Sequence, residues 1–183
     1  TINFRKLSGG GLDEGTYDNC TISVTSSSSL RTSDNLSVDN FTIDTTAPSV
    51  SSFTIADSLL TIGETATVTL VFSEAVISFS SSDDITASYG TLSTSMTSSD
   101  NITWSGTFTP TTNTEDASNT LSLATSYTDT AGNSGPAATT SNYEVETLAP
   151  SASSFTISDT ALKVGDNATV TLVFSEAVIS FSS

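Results

Sequence analysis

The stretch VTLVFSEAVISFSS occupies residues 68–81 and recurs without change at residues 170–183. In its first half Val68, Leu70 and Phe72 fall on one side of an extended chain, and Thr67, Thr69 and Val71 fall on the other. That period of two is what a half-buried antiparallel strand needs. Reading backwards, APSVSSFTIADSLLTIGETAT from Ala47 lies on APSASSFTISDTALKVGDNAT from Ala149, so that 27 of 35 positions are identical at an offset of 102. Further back, NFTIDTTAP from Asn40 lies on NYEVETLAP from Asn142. The chain therefore carries an internal repeat whose units meet at the TAP and LAP tripeptides. Pro48 and Pro150 hold the preceding residue extended and donate no backbone hydrogen bond, which suits a short, stiff connector.

A period of 102 residues exceeds the solenoid range of about 20 to 50 and suits one sandwich domain of about 100 residues. Within the complete unit the patterning predicts strands at 52–55, 66–72, 76–80, 85–95 with a kink at Tyr89-Gly90, 102–109, 120–127 and 138–145, which makes seven. Ile102, Trp104, Gly106 and Phe108 share a face, and Trp104 reads as a core residue. The clusters SSSDD, TSSDN and DTAGNSG supply the turns between these runs.

Composition agrees with strands. Ser (36) and Thr (34) dominate, while helix-forming Lys, Arg and Met are scarce. Twenty acids oppose four basic residues, and residues 47–148 hold eleven acids and no Lys or Arg. Such a surface repels a phosphate backbone, so nucleic acid is not an expected partner, and it attracts cations. No run of 18 or more apolar residues and no charged-then-apolar leader occurs, so neither membrane insertion nor a signal peptide is expected in this segment. Cys20 stands alone in the alternating run CTISV and reads as a small strand residue.

The same inventory argues against catalysis. The sequence has no His, and the complete unit also lacks Lys, Arg and Cys, which removes the usual nucleophile and base pairings together. The adjacent acids Asp83-Asp84 and Glu115-Asp116 read as solvated or turn-capping groups rather than a glycosidase pair. No catalytic residue is expected, and the chain is read as not an enzyme.

Taken together, FTISDTALKVGDNATVTLVFSEAV, GTFTPTTNTEDASNTLSLA, YTDTAGN and the IDTTAP connector resemble the bacterial immunoglobulin-like repeats. Those repeats occur in very large secreted adhesins and related surface proteins, and similar domains decorate tailed-phage virions. The resemblance implies an all-β chain of tandem immunoglobulin-like β-sandwiches with seven strands per complete domain. Residues 1–45 would be the last part of one domain, 46–147 a complete domain, and 148–183 the first part of a third. The match is weaker in residues 1–45: LDEGTYDNCTISV resembles a penultimate strand with Tyr17 at a tyrosine-corner-like position, but SSSSLRTSDN stands where DTAGN is expected.

Oxygen donors are abundant here, and calcium takes six to eight of them. In a seven-strand sandwich the incoming connector shares one pole with three loops, so Asp44, Glu74, Asp100, Asp129 and Asn133 are expected to gather there. At the next junction Glu146 should meet Glu176, joined by Glu115 or Asp116. The resemblance implies the same placement, since calcium-dependent tandem adhesin domains hold ions at such junctions. A plainer reading stands beside it: Asp129 caps its own turn, and Glu74 ends a strand.

The functional expectation is a spacer in a long extracellular protein of a cell or virion surface, with neighbouring repeats of the same chain as its partners. A phage virion fibre or head decoration, and a carbohydrate- or receptor-binding module, are the alternatives. The three strands expected at 148–183 leave half a sandwich uncovered. A longer array would complete it, or else head-to-tail self-association with another copy's residues 1–45.

Overall fold

The computed structural model describes residues 12–92 and 95–181. Residues 1–11 of the front segment, residues 93–94 of the kinked strand, and the last two residues of the second copy lie outside the described residues. The front segment contributes β1 (Gly15–Tyr17), β2 (Thr21–Ile22), β3 (Leu36–Ser37) and β4 (Phe41–Ile43). The middle begins with β5 (Val50–Ile55), β6 (Leu59–Thr61), β7 (Ala66–Phe72) and β8 (Val76–Ile77), followed by a four-residue helix α1 (Ser81–Asp84). It continues through β9 (Ile85–Ala87), β10 (Gly90–Leu92), β11 (Thr103–Pro110), β12 (Glu115–Asn119) and β13 (Leu121–Leu123). It closes with β14 (Thr128–Asp129), β15 (Ala138–Thr139) and β16 (Tyr143–Glu146). The back segment adds β17 (Ala152–Ile157) and β18 (Val170–Phe174).

The expected all-β sandwich is what forms. One layer is the four-stranded sheet β10-β11-β7-β5. The other is assembled from the shorter ladders β12-β16-β6, β15-β13-β9 and β14-β8. Alternation along β7 lands as read: Ala66, Val68, Leu70 and Phe72 are buried, with Thr67, Thr69 and Val71 between them more open. Their opposite numbers are Tyr143 and Val145 of β16, Leu121 and Leu123 of β13, and Leu60 of β6, all in the same core. Every core residue lies between Phe53 and Val145. Phe72 packs on Tyr127 with ring centroids 4.8 Å apart, and Phe108 meets Tyr143 edge-on at 5.1 Å.

Two glycines are dictated by that packing. A Cβ at Gly90 would enter the Phe108 ring, and one at Gly135 would enter the Tyr127 ring. Tyr127 donates to the Pro136 carbonyl at 2.7 Å and Tyr143 to the Ser88 carbonyl at 2.7 Å. Burial pushes both phenols up to about 12, so both remain donors.

Differences from the sequence reading are local. The strand expected at 76–80 stops at Ile77, and the Asp83-Asp84 turn winds into α1, whose Asp84 accepts from the Ser80 amide and the Ser126 hydroxyl. The kink falls at Tyr89, with φ of 48°. The strand expected at 138–145 breaks into β15 and β16, and only 121–123 of the expected 120–127 is strand. Three strands of the middle segment were not expected: the short β14 lies just past 127, and β6 and β12 fall between the expected runs. After β5 the chain crosses to the other layer as β6, which runs parallel to β16, and β12 pairs antiparallel on the far side of β16. Trp104 sits in register with Leu70 and edge-on to Phe79 at 4.9 Å, but it is only half-buried, and its enclosed Nε1 has no hydrogen-bond partner. Cys20 lies just before β2, its carbonyl accepting from the Val38 amide.

Candidate functional site

Three segments converge where the front connector meets the sandwich. Asp44 follows β4 directly, Glu74 lies in the turn between β7 and β8, and Asp129 ends β14. One carboxylate oxygen from each lies within 4.8 Å of the other two. Asp129 is buried, while Asp44 and Glu74 are half-buried. Ladder geometry brings them together: Val76 pairs with Asp129 in the β8–β14 ladder, and this fixes the Glu74 turn beside the β14 loop.

Asp129 is held on several sides. Its Oδ1 accepts from the amides of Ala131 at 2.8 Å and Asn133 at 2.9 Å, and its Oδ2 accepts from Asn133 Nδ2 at 2.8 Å. The turn-capping role read from DTAGN is therefore present, together with the convergence. Burial pushes its pKa up, but the Asn133 side chain and the surrounding amides outweigh this and hold the carboxyl below its ordinary value. Asn133 Nδ2 also reaches the carbonyls of Asp44 at 3.2 Å and Thr46 at 3.3 Å. Asn133 thus binds the connector to the loop and presents donors, not ligand oxygens, through these contacts.

Glu74 shows the opposite balance. Burial, then the charges of Asp44, Asp129 and Glu14, raise its pKa above 4.5. Glu14 is the residue that sequence reasoning missed. It accepts the Thr45 hydroxyl at 2.9 Å and the Thr46 hydroxyl at 2.9 Å, and lines a concave surface with Gly15, Thr42, Ile43, Asp44, Thr46 and Glu74. A signal for it existed. Gly15 pairs with Ile43 as Asp116 pairs with Val145, so Glu14 occupies the place of Glu115, which the sequence had already placed at the other junction.

Asp100 is not among the converging carboxylates. Its Oδ1 accepts from the amides of Thr103 and Ile102, both at 2.9 Å, and from the Ser98 hydroxyl, and these bonds lower its pKa. At the second junction Glu115 and Glu146 are cross-strand neighbours. Burial, then the charges of Glu115, Glu176 and Glu144, push the Glu146 carboxyl up. No third acid converges there among the described residues.

The first cluster is chemically suited to a hard cation. Its donors are oxygens throughout, it offers no nitrogen or sulfur ligand, and it faces solvent on the connector side. Among the described residues no helix is long and apolar enough to cross a membrane.

Comparison with known proteins agrees with this architecture. The family model of the bacterial Ig-like domain matches residues 44–145, more than half of the chain. Neither the curated proteins nor the solved structures contain a match. Domains of this family are generally non-catalytic, serve as structural or adhesion-type modules, and are often parts of surface or extracellular proteins. The match begins at Asp44, the connector acid of the first cluster, and ends at Val145 in the last core strand, and the chain belongs to the bacterial Ig-like domain family.

Proposed function

We propose that the chain is a non-catalytic spacer in a long extracellular surface protein, made of one complete domain at 46–147 between parts of two others, and stiffened by calcium at its junctions. The observation that carries this reading is the convergence of Asp44, Glu74 and Asp129 within 4.8 Å, with Glu14 of the preceding segment beside them. Like charges gathered together disfavour one another, and, after burial, that repulsion raises the Glu74 pKa. A divalent cation would replace repulsion with shared coordination. It would also tie a connector to a domain that otherwise share a small interface. Glu146 and Glu176 would form the corresponding half-site at the next junction.

The repeat itself supports a spacer. Where units are near-copies, length depends on their number rather than on individual side chains. The test is thermal unfolding of the 183-residue chain at low ionic strength, with calcium and with chelator. At calcium about 100 times the Kd, stabilisation should be about 2.7 kcal/mol, a rise in Tm on the order of 10 °C. A Tm that does not move between the two conditions would remove calcium from this reading.

A further inference from the structure

We infer that the complete domain is a load-bearing element, in which a pull along the chain must shear two strand ladders, one in each layer, before the core can open. The spacer reading, on which this rests, supplies the tension; the strand pairing supplies the lock.

The path of the chain sets the direction of load. β7 spans the sandwich from the Gly63 turn to the Glu74 turn. The front connector enters at the Glu74 end, where Asp44 meets Glu74 and the Ser49 amide donates to the Ser73 hydroxyl at 2.9 Å. β16 leaves at the other end, since Glu146 stands opposite Thr61, just before the Gly63 turn. Its exit is fastened there: the Thr147 amide donates to the Thr114 carbonyl at 2.8 Å, and the Thr147 hydroxyl to the Thr111 carbonyl at 2.6 Å. Tension between the two connectors therefore acts along the strands, not across them.

The incoming chain meets that tension in both layers. β5 pairs with β7 between Val50 and Ile55. The chain then crosses to the other layer, where Leu59, Leu60 and Thr61 of β6 stand beside Glu144, Val145 and Glu146 of β16. The Glu144 amide donates to the Ser58 carbonyl at 2.8 Å. β6 and β16 run parallel. Tension drawn in at the start of one and out at the end of the other slides them past each other, so the whole ladder is loaded together. Leu60 and Val145 are fully buried, and sliding would drag both through a packed core. On its far side β16 is held by β12. Parallel pairing is slightly weaker per residue than antiparallel. What this pair adds is therefore direction rather than stability.

Force spectroscopy on the 183-residue chain tests this, with chelator present so that its failure is separate from that of the calcium reading. Held by its two ends, the chain should resist until one event releases on the order of 300 Å, the residues between Val50 and Glu146 at about 3.3–3.6 Å each less the folded span. In a Cys20→Ser background, Ile62→Cys offers a handle beside the Gly63 turn, where the side chain is 65% exposed. Held there and by its last residue, the chain loads the β6–β16 ladder from one pole. With its three register pairs parting singly, it should open at about half the end-to-end force or less. Equal forces from the two geometries overturn the inference.

Leu60→Ala and Leu121→Ala locate the barrier, because both leucines are fully buried, but Leu121 lies in β13, which pairs only with β9 and β15. Each should lower stability in denaturant by a similar amount, and Leu60→Ala alone should also lower the end-to-end force. An equal fall in force for both overturns the lock and makes resistance a property of the whole core. Where Leu60→Ala does not fold, the comparison of handles decides on the unaltered core.

Discussion

The copies at 68–81 and 170–183 share every residue and little of their surroundings. Val68 is fully buried and Val170 is 56% exposed. Both strands nevertheless pair in one register, β7 with β5 and β18 with β17, with the same bulge at the same step. The same strand register thus recurs in both ribbons although their surroundings among the described residues differ. Burial is a property of the opposite layer. Much of that layer in the middle of the chain, β12 to β16, comes from residues 115–146, so the copy at 68–81 is core because those residues lie across from it.

The sharpest break of this comparison is truncation of a matched pair. Phe53→Ala should cost about 3 to 5 kcal/mol, and Phe155→Ala less than about 0.5 kcal/mol, in denaturant unfolding of dilute chain. Equal costs would mean that the two ribbons are covered alike.

The two junctions offer the next contrast. Asp129→Asn removes one of three convergent carboxylates and should abolish most of the calcium-dependent rise in Tm, whereas Glu176→Gln should leave that rise nearly intact. Calorimetric titration of the two variants checks this, with loss of one strong site in the first and none in the second.

The smallest effect is on pH. Glu74 and Glu146 bind their protons more tightly in the folded chain, so folding gains as the pH falls through their raised values. Asp129 and Asp100 have lowered values, so the stability they supply is present above the ordinary Asp range and is lost as pH falls toward and below 3.8. The metal-free chain should therefore be most stable in mild acid, and calcium should move that optimum toward neutrality. Tm measured against pH, with and without calcium, decides. The shift is small because Glu74 and Glu146 remain partly solvated.

Much of the fold was legible where side chains alternate. β7 and β11 were readable from Val68, Leu70 and Phe72, and from Trp104 and Phe108. β6 and β12 were not. The first is three residues long, and the second, Glu-Asp-Ala-Ser-Asn, carries almost nothing apolar; each is a strand because β16 lies beside it. The site divides the same way. Asp44, Glu74, Asp129 and Asn133 were named from topology, because strand order alone decides which loops share a pole. Glu14 was hidden, because its place depends on the front segment pairing one residue out of step with the 102-residue offset.

By itself, the sequence determined the repeat, the all-β class, the absence of His, and the strands whose faces alternate. Those features follow from residue type and local spacing, which act over a few residues. Only the tertiary structure decided which acids meet and which glycines must lie under aromatic rings. Each of these depends on chain segments tens of residues apart arriving at one point, and no local pattern reports that arrival.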